Sequence, residues 1–289
     1  MIISKNPPKF CLITGANRGF GKALSIAFWE QGWSLILVGR KASSLNDLIH
    51  LLPKKNNQIA RSIIADLAED HAIPYIIERA KSYTLKLDAL INNAAIQGNI
   101  GFSWDIEWSI WKKTLQINLL TPIALCHEIS KWMIQHNNGS IINISGGGAA
   151  APRPLFNAYA TAKAGIVRFS ETLAAELTMY GIRVNCIAPG AMATDMQNEI
   201  ISLPNHSIYE KEKNTAYATL NQKNTMAAAI ELALFLTSSE SLGITGKLIS
   251  AVWDNWKEWP QHLDQLRSSD IYTLRRISGK DRSISWGDK

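Results

Sequence analysis

The chain has 289 residues, of which 46% are apolar and 19% charged, so it can bury a large core and is not a disordered polymer. Its formal net charge of +6 is scattered, with basic runs no longer than the pairs Lys54-Lys55, Lys112-Lys113 and Arg275-Arg276, whereas a nucleic-acid footprint concentrates such charge; no nucleic-acid partner is expected. Met1 to Lys9 has no apolar leader core, no run of about 18 apolar residues exists to span a membrane, and Cys11, Cys126 and Cys186 have neither metal-ligand spacing nor an even count, so a cytoplasmic protein with no metal and no disulfide is expected.

Phe10 to Thr14 reads as a buried strand entering a glycine-rich turn, and Gly19 to Gln31 as the helix after it. Ser34 to Val38 is a second strand and Ser43 to Leu52 a second helix. Ile59 to Ala65, Leu87 to Asn92, Ser140 to Ile144, Ile182 to Ile187 and Lys247 to Ala251 read as strands, and Trp108 to Gln135 and Leu155 to Tyr180 as long helices. Continuous apolar strands separated by helices predict an α/β fold with a parallel sheet covered on both faces. There is no repeat or linker, so a single domain over residues 1–289 is expected. Two stretches stand outside the pattern. Ala191 to Asn224 is polar and irregular, and Trp253 to Lys289 is a tail carrying Trp253, Trp256, Trp259 and Trp286. On a helix, Trp253, Trp256 and Trp259 share a face. They either pack against the body or a second subunit, or wall the substrate cleft where an indole stacks on a sugar ring.

The first strand runs into Thr14-Gly15-Ala16-Asn17-Arg18-Gly19-Phe20-Gly21. Glycines there let the backbone approach a pyrophosphate, and the following helix points its free N–H groups at that anion. This strand–loop–helix context predicts a dinucleotide site. An acid about 20 residues beyond the glycines grips the ribose 2′-hydroxyl of NAD. Here the second strand ends in Gly39-Arg40-Lys41, two cations that suit a 2′-phosphate, and Arg18 points the same way. NADP(H) is therefore expected over NAD(H). Asp66-Leu67 follows the third strand, where the carboxylate either accepts from the adenine amino group or caps the helix starting near Glu69. Asn92-Asn93-Ala94-Ala95 ends the fourth strand with small residues against which an adenine ribose can lie.

Tyr159 and Lys163 lie four apart in a helical stretch, so phenol and ammonium share one face. A tyrosine titrates near 10 in isolation, and a nearby cation favours the phenolate, moving it toward working range. Ser145 ends the fifth strand before Gly146-Gly147-Gly148, on the strand edge where ligands of open α/β sheets bind. It lacks the Gly-x-Ser-x-Gly setting of a nucleophile, so its hydroxyl is read as a holder of the substrate oxygen. Asn118 is polar inside an apolar helix; it caps or kinks that helix or holds a water against Lys163.

With TGANRGFG at 14–21, NNAA at 92–95, Asn118, Ser145, YATAK at 159–163 and PG at 189–190, the sequence resembles the short-chain dehydrogenase/reductase family from about Pro8 to Ala251. The resemblance implies a Rossmann-type, doubly wound parallel sheet of seven strands and a tetrad of Asn118, Ser145, Tyr159 and Lys163. Tyr159 would donate the proton in reduction and accept it in oxidation. Lys163 would bind the nicotinamide ribose and lower the tyrosine pKa, Ser145 would orient the carbonyl, and Asn118 would support a water relay. Pro189, Gly190 and Thr194 would contact the nicotinamide end, with a mobile substrate lid at 191–224. The family also implies a small-molecule carbonyl or alcohol substrate and a homodimer or homotetramer formed by the two long helices. Ala95 stands where the family usually has glycine, and the chain diverges after Ser250 into a C-terminal extension, 253–289, that resembles reductases of bacterial surface-polysaccharide synthesis. A sugar or nucleotide-sugar substrate, a 3-oxoacyl carrier-protein thioester and a non-catalytic dinucleotide sensor or scaffold are the competing readings. The tail favours the first, and the +6 charge the second.

Overall fold

The computed structural model describes residues 8–55, 57–284 and 286; most of the Met1 to Lys9 stretch of the leader reading and the last residues of the tail fall outside them. Seven strands form one sheet: β1 (Phe10–Thr14), β2 (Ser34–Gly39), β3 (Ala60–Ile64), β4 (Ala89–Asn92), β5 (Gly139–Ile144), β6 (Ile182–Ala188) and β7 (Leu248–Ser250). Their order is β3-β2-β1-β4-β5-β6-β7, and every neighbouring pair is parallel. The helices are α1 (Gly19–Glu30), α2 (Ala42–Leu51), α3 (Ala72–Tyr83), α4 (Trp108–Leu115), α5 (Thr121–Ile134), α6 (Asn157–Leu177), α7 (Asp195–Ile201), α8 (Ser207–Leu220), α9 (Ala227–Thr237) and α10 (Leu263–Ser268).

The strands read as unbroken apolar runs because each faces two cores. Side chains alternate across a strand, so Cys11 and Ile13 of β1 enter one core while Phe10 and Leu12 enter the other. The first core receives Leu24 and Phe28 of α1, Leu45 and Leu48 of α2 and Leu232 and Leu236 of α9. The second receives Ile76 of α3, Leu125 and Ile129 of α5 and Leu173 and Leu177 of α6. This is the doubly wound sheet the sequence predicts. β1 pairs with both β2 and β4, so the winding reverses there and a crevice opens beyond the carboxyl ends of β1 and β4.

Three sequence expectations are corrected. Residues 191–224 are not irregular: they hold α7 and α8, whose few apolar side chains, Ile200 and Ala216 among them, close a small core with Phe156 and leave little periodicity to read. The stretch 108–135 is interrupted by a π-turn at Gln116–Leu120. The tail tryptophans do not share one α-helical face. Trp256–His262 is a 3-10 helix containing Pro260, and its three-residue turn aligns Trp256 with Trp259 while Trp253 stays outside it. Trp256 packs on Phe235, with ring centroids 5.1 Å apart, and Trp259 on Tyr272 at 4.3 Å; both belong to the first core. Trp253 is 86% exposed. The reading of the tail as packing against the body therefore holds for Trp256 and Trp259, and these two do not wall a cleft. The tail also covers the free edge of the sheet, since Leu248 N donates to Tyr272 O at 2.8 Å.

Trp256→Ala should cost about 3–5 kcal/mol of stability, the range for emptying a large aromatic site in a core. Trp253→Ala should stay within about 0.5 kcal/mol. Urea unfolding of both variants checks this; equal effects would contradict the packing described.

Candidate active site

The crevice at the winding reversal is held by side chains at the strand ends. Thr14 Oγ1 accepts from Asn93 N at 3.0 Å and Ala94 N at 3.1 Å, and Asn93 Nδ2 donates to Thr14 O at 2.9 Å. The chain leaving β1 turns at Gly15, whose φ of +63° suits glycine and whose absent Cβ would lie 2.9 Å from Ala94 Cα. A Cβ on Gly21 would collide with Gly15 O, so α1 seats directly against the loop. No side chain caps the start of α1: Arg18, its N-cap residue, makes no capping hydrogen bond, so no side chain competes with an anion for that helix end.

A cleft of about 550 Å³ runs along this edge. Its wall holds the predicted glycine-loop residues Gly15, Asn17, Arg18, Gly19, Phe20 and Gly21, then Arg40 and Lys41 at the end of β2 and Asp66 and Leu67 after β3. It continues through Asn93, Ala94 and Ala95 to Ser145, Tyr159, Lys163, Pro189, Gly190 and Thr194. Arg40 and Lys41 are exposed, and neither position carries a carboxylate. Asp66 Oδ1 accepts from Ala68 N at 3.0 Å, while α3 begins only at Ala72, so Asp66 braces its own turn and does not cap the helix. Arg18 is engaged: its Nη1 lies 3.0 Å from Asp195 Oδ2 on α7.

Ser145, Tyr159 and Lys163 converge because β5 delivers Ser145 beside the first two turns of α6. Ser145 Oγ donates to Lys163 O at 3.4 Å, and a Cβ on Gly146 would lie 3.2 Å from the Tyr159 hydroxyl. Lys163 is only 3% exposed; its Nζ donates to Ile144 O at 2.6 Å and sits 5.5 Å from the Tyr159 ring centroid. Burial pulls the Lys163 ammonium down to about 8. Burial pushes the Tyr159 phenol above its ordinary value, opposed by the positive charge of Arg153. The expected company of Tyr159 and Lys163 on one helix face is seen, and Arg153 adds a second cation whose charge opposes the effect of burial on the phenol.

Asn118 is the predicted residue that does not line the cleft. It is buried in the π-turn, where Oδ1 accepts from Ile96 N at 2.9 Å and Nδ2 donates to Ile96 O at 2.7 Å. Its amide thus clamps the segment leaving β4 in place of another peptide group. Sequence reading missed Arg153, Gln97 and Glu212, which also line the cleft. Gln97 Nε2 donates to Met196 O at 2.7 Å and Glu199 Oε2 at 3.1 Å, tying α7 to the body. A lone cation eight residues after Ser145 was a signal for Arg153; nothing in the sequence marked its partner, 59 positions away.

The sheet order, the glycine turn and the open helix start define a dinucleotide-binding Rossmann-type fold. Residues 9–204 match the short chain dehydrogenase family. The 3-oxoacyl-[acyl-carrier-protein] reductase of Synechocystis sp. is 31% identical over 194 residues, covering 67% of this chain and 78% of that one. Glucose 1-dehydrogenase 2 of Bacillus subtilis is 27% identical over 239 residues, 82% and 91% of the two chains. The structure of NAD+-bound xylitol dehydrogenase superposes with a TM-score of 0.75 at 24% identity, over 86% of this chain and 98% of that one. The chain belongs to the short-chain dehydrogenase family, NAD(P)-dependent oxidoreductases that interconvert carbonyls and alcohols.

The buried Lys163 has a thermodynamic signature. Its folded-state pKa is depressed, so the unfolded chain binds more protons between about pH 8 and the ordinary lysine value. The cost of the buried charge is therefore full below about pH 8 and is relieved as pH rises. Lys163→Met should be more stable than wild type by about 1–2 kcal/mol at neutral pH, after the lost hydrogen bond to Ile144 is counted. Urea titrations from pH 6 to 10 should show that gap narrowing above about pH 8; a flat gap, or a destabilised variant, contradicts this reading.

Proposed function

We propose that this protein reduces a small-molecule carbonyl with NADP(H), Tyr159 giving the proton. The observation that carries the reading is one wall holding the uncapped α1 start, Ser145, Tyr159 and Lys163 together. The nicotinamide, when bound, supplies the hydride. The residues of the chain then divide the remaining work. Ser145 orients the carbonyl oxygen by donating a hydrogen bond. Tyr159 passes its hydroxyl proton to that oxygen as charge develops. Its upward shift keeps the phenol protonated at neutral pH, the form a reductase needs. Lys163 turns from Ile144 O toward the nicotinamide ribose, and its charge then stabilises the phenolate left behind. Asn118 acts as a positioning residue through Ile96. Gly190, Pro189 and Thr194 bound the nicotinamide end, with Gly15, Asn17, Gly19, Phe20 and Gly21 at the pyrophosphate and Asp66, Leu67, Asn93, Ala94 and Ala95 around the adenosine. Arg40 and Lys41 favour a 2′-phosphate. Arg18 joins them only by leaving Asp195, which makes the first two the main determinants.

A second substrate reading has specific support. A 3-oxoacyl thioester on an acidic carrier fits the +6 charge and the reductase similarity. The sugar reading loses two of its three tail tryptophans to the core. For assembly, a groove of about 640 Å³ between α3, α5 and α6 presents Leu120, Ile123 and Phe169. We place a homodimer contact there, from which a homotetramer can be built; a monomer at micromolar concentration by sedimentation would refute it. Among the described residues no helix is long and apolar enough to cross a membrane. The three buried free thiols suit a reducing cytoplasm.

Tyr159→Phe should lower turnover of an active carbonyl substrate by about 10²–10⁴ while NADPH binding is kept, the loss typical of a missing general acid. Turnover is followed by NADPH absorbance and binding by nicotinamide fluorescence. Near wild-type turnover in the variant would remove Tyr159 from the mechanism.

A further inference from the structure

The loop between β5 and α6 carries one cation, Arg153, and its setting is built. The guanidinium lies 3.7 Å from the ring centroid of the buried Phe156, which fixes its plane. Arg153 O accepts from Phe156 N at 3.3 Å, and the intervening Leu155 stands at a φ of +70° with its carbonyl held by Gly101 N at 3.0 Å. An ordinary leucine avoids that backbone region, so the surrounding contacts hold the turn. Arg153 lines the same cleft as Ser145 and Tyr159. Its charge reaches the Tyr159 phenol.

The acceptor on this guanidinium is a carboxylate of the lid. Arg153 Nη2 lies 3.0 Å from Glu212 Oε2, with side chains 31% and 23% exposed. Glu212 shares one face of α8 with Thr215 and Thr219, and all three line the cleft. The pair therefore spans the cleft from the catalytic loop to the lid. The pair is still reached by solvent, which limits its net stability, so an incoming anion can replace Glu212 at modest cost. Because a carboxylate oxygen already accepts from Arg153 Nη2, the geometry points to that chemistry.

Building on the carbonyl-reductase reading above, we propose that Arg153 is a substrate-specificity residue that pairs with a carboxylate on the carbonyl substrate, and that Glu212 occupies that place until substrate displaces it. The substrate class is an oxo acid. Displacement frees α8 from the catalytic loop, so substrate entry and lid release are one exchange of carboxylates on one arginine. The Thr215 and Thr219 hydroxyls on the same helix face remain beside the exchanged group. Arginine suits this role better than lysine because its planar fork takes two oxygens at once.

The test compares 2-oxo and 3-oxo acids with their methyl esters, using NADPH and the full-length protein. Each acid and its ester share the reacting carbonyl and differ in charge, so the acid-to-ester ratio of kcat/KM reports on Arg153. Wild type should favour acids by about tenfold or more, the scale of one charge-assisted hydrogen bond pair. Arg153→Gln should bring that ratio toward one, chiefly by raising KM for the acids. Arg153→Lys should restore part of it. Glu212→Gln removes the competing carboxylate and should lower KM for the acids several-fold, and it keeps the proposal testable if the arginine variants do not fold. An active wild type with an acid-to-ester ratio near one overturns this assignment and leaves the reductase reading standing. So does an Arg153→Gln that slows acids and esters equally, or a Glu212→Gln that leaves KM for the acids unchanged. A wild type that binds NADPH and reduces other carbonyls but no acid or ester overturns this assignment alone, and one that reduces no carbonyl of any class overturns the reductase reading with it.

Discussion

The winding of the sheet reverses between β1 and β4, and two hydrogen bonds to the Thr14 hydroxyl hold the reversal together. Neighbouring crossovers on the two sides of β1 leave in opposite directions, so their strand ends cannot be covered by the same connection. The crevice that results is a consequence of topology before it is a site. Asn93 Nδ2 then ties the β4 end to Thr14 O, and through it to the loop at Gly15. This linkage brings the uncapped start of α1 against the ends of β4 and β5. The side chains proposed as catalytic inherit their places from it: Ser145 from the end of β5, and Tyr159 and Lys163 from the first turns of the helix that follows.

Charge inside the cleft is distributed between the strand-end loops and the helices α7 and α8. Burial alone would leave Tyr159 a poor proton carrier and Lys163 a poor cation, and it moves both in the direction of neutrality. Arg153 supplies the opposing field for the phenol. Helices α7 and α8 are each attached by the same kind of contact, Arg18 with Asp195 and Arg153 with Glu212. Each pair is partly solvated, so each is a clasp that exchange can open at little cost. Two of the contacts that hold the cleft are thus ion pairs open to solvent.

Much of this was legible in the sequence, for physical reasons that differ by element. The strands were visible because burial on both faces demands apolar residues at every position of SLILV and its counterparts. The glycine loop was visible because the positive φ at Gly15 and the contact at Gly21 admit little else. Helix α8 was not visible, since its stability comes from Ala216 meeting Phe156 and Ile200, residues far apart in the chain. The role of Asn118 was half legible: a polar residue in an apolar helix signalled a special position, yet the π-turn that aims it at Ile96 carries no local pattern. The pairing of Tyr159 with Lys163 on one face was legible from their spacing, whereas the charge of Arg153, brought in by the loop before α6, was not. The tail tryptophans misled, since a spacing of three fits a 3-10 helix as well as an α-helix.

The most direct test of this account is a fluorescence titration of the purified protein with NADPH and with NADH. The glycine loop and the cations Arg40 and Lys41 predict saturable binding of both, with NADPH tighter by about tenfold or more, the scale of one or two charge-assisted contacts to a 2′-phosphate. Equal affinity, or tighter binding of NADH, would contradict the cofactor preference, and failure of both to bind would contradict the assignment of the cleft itself.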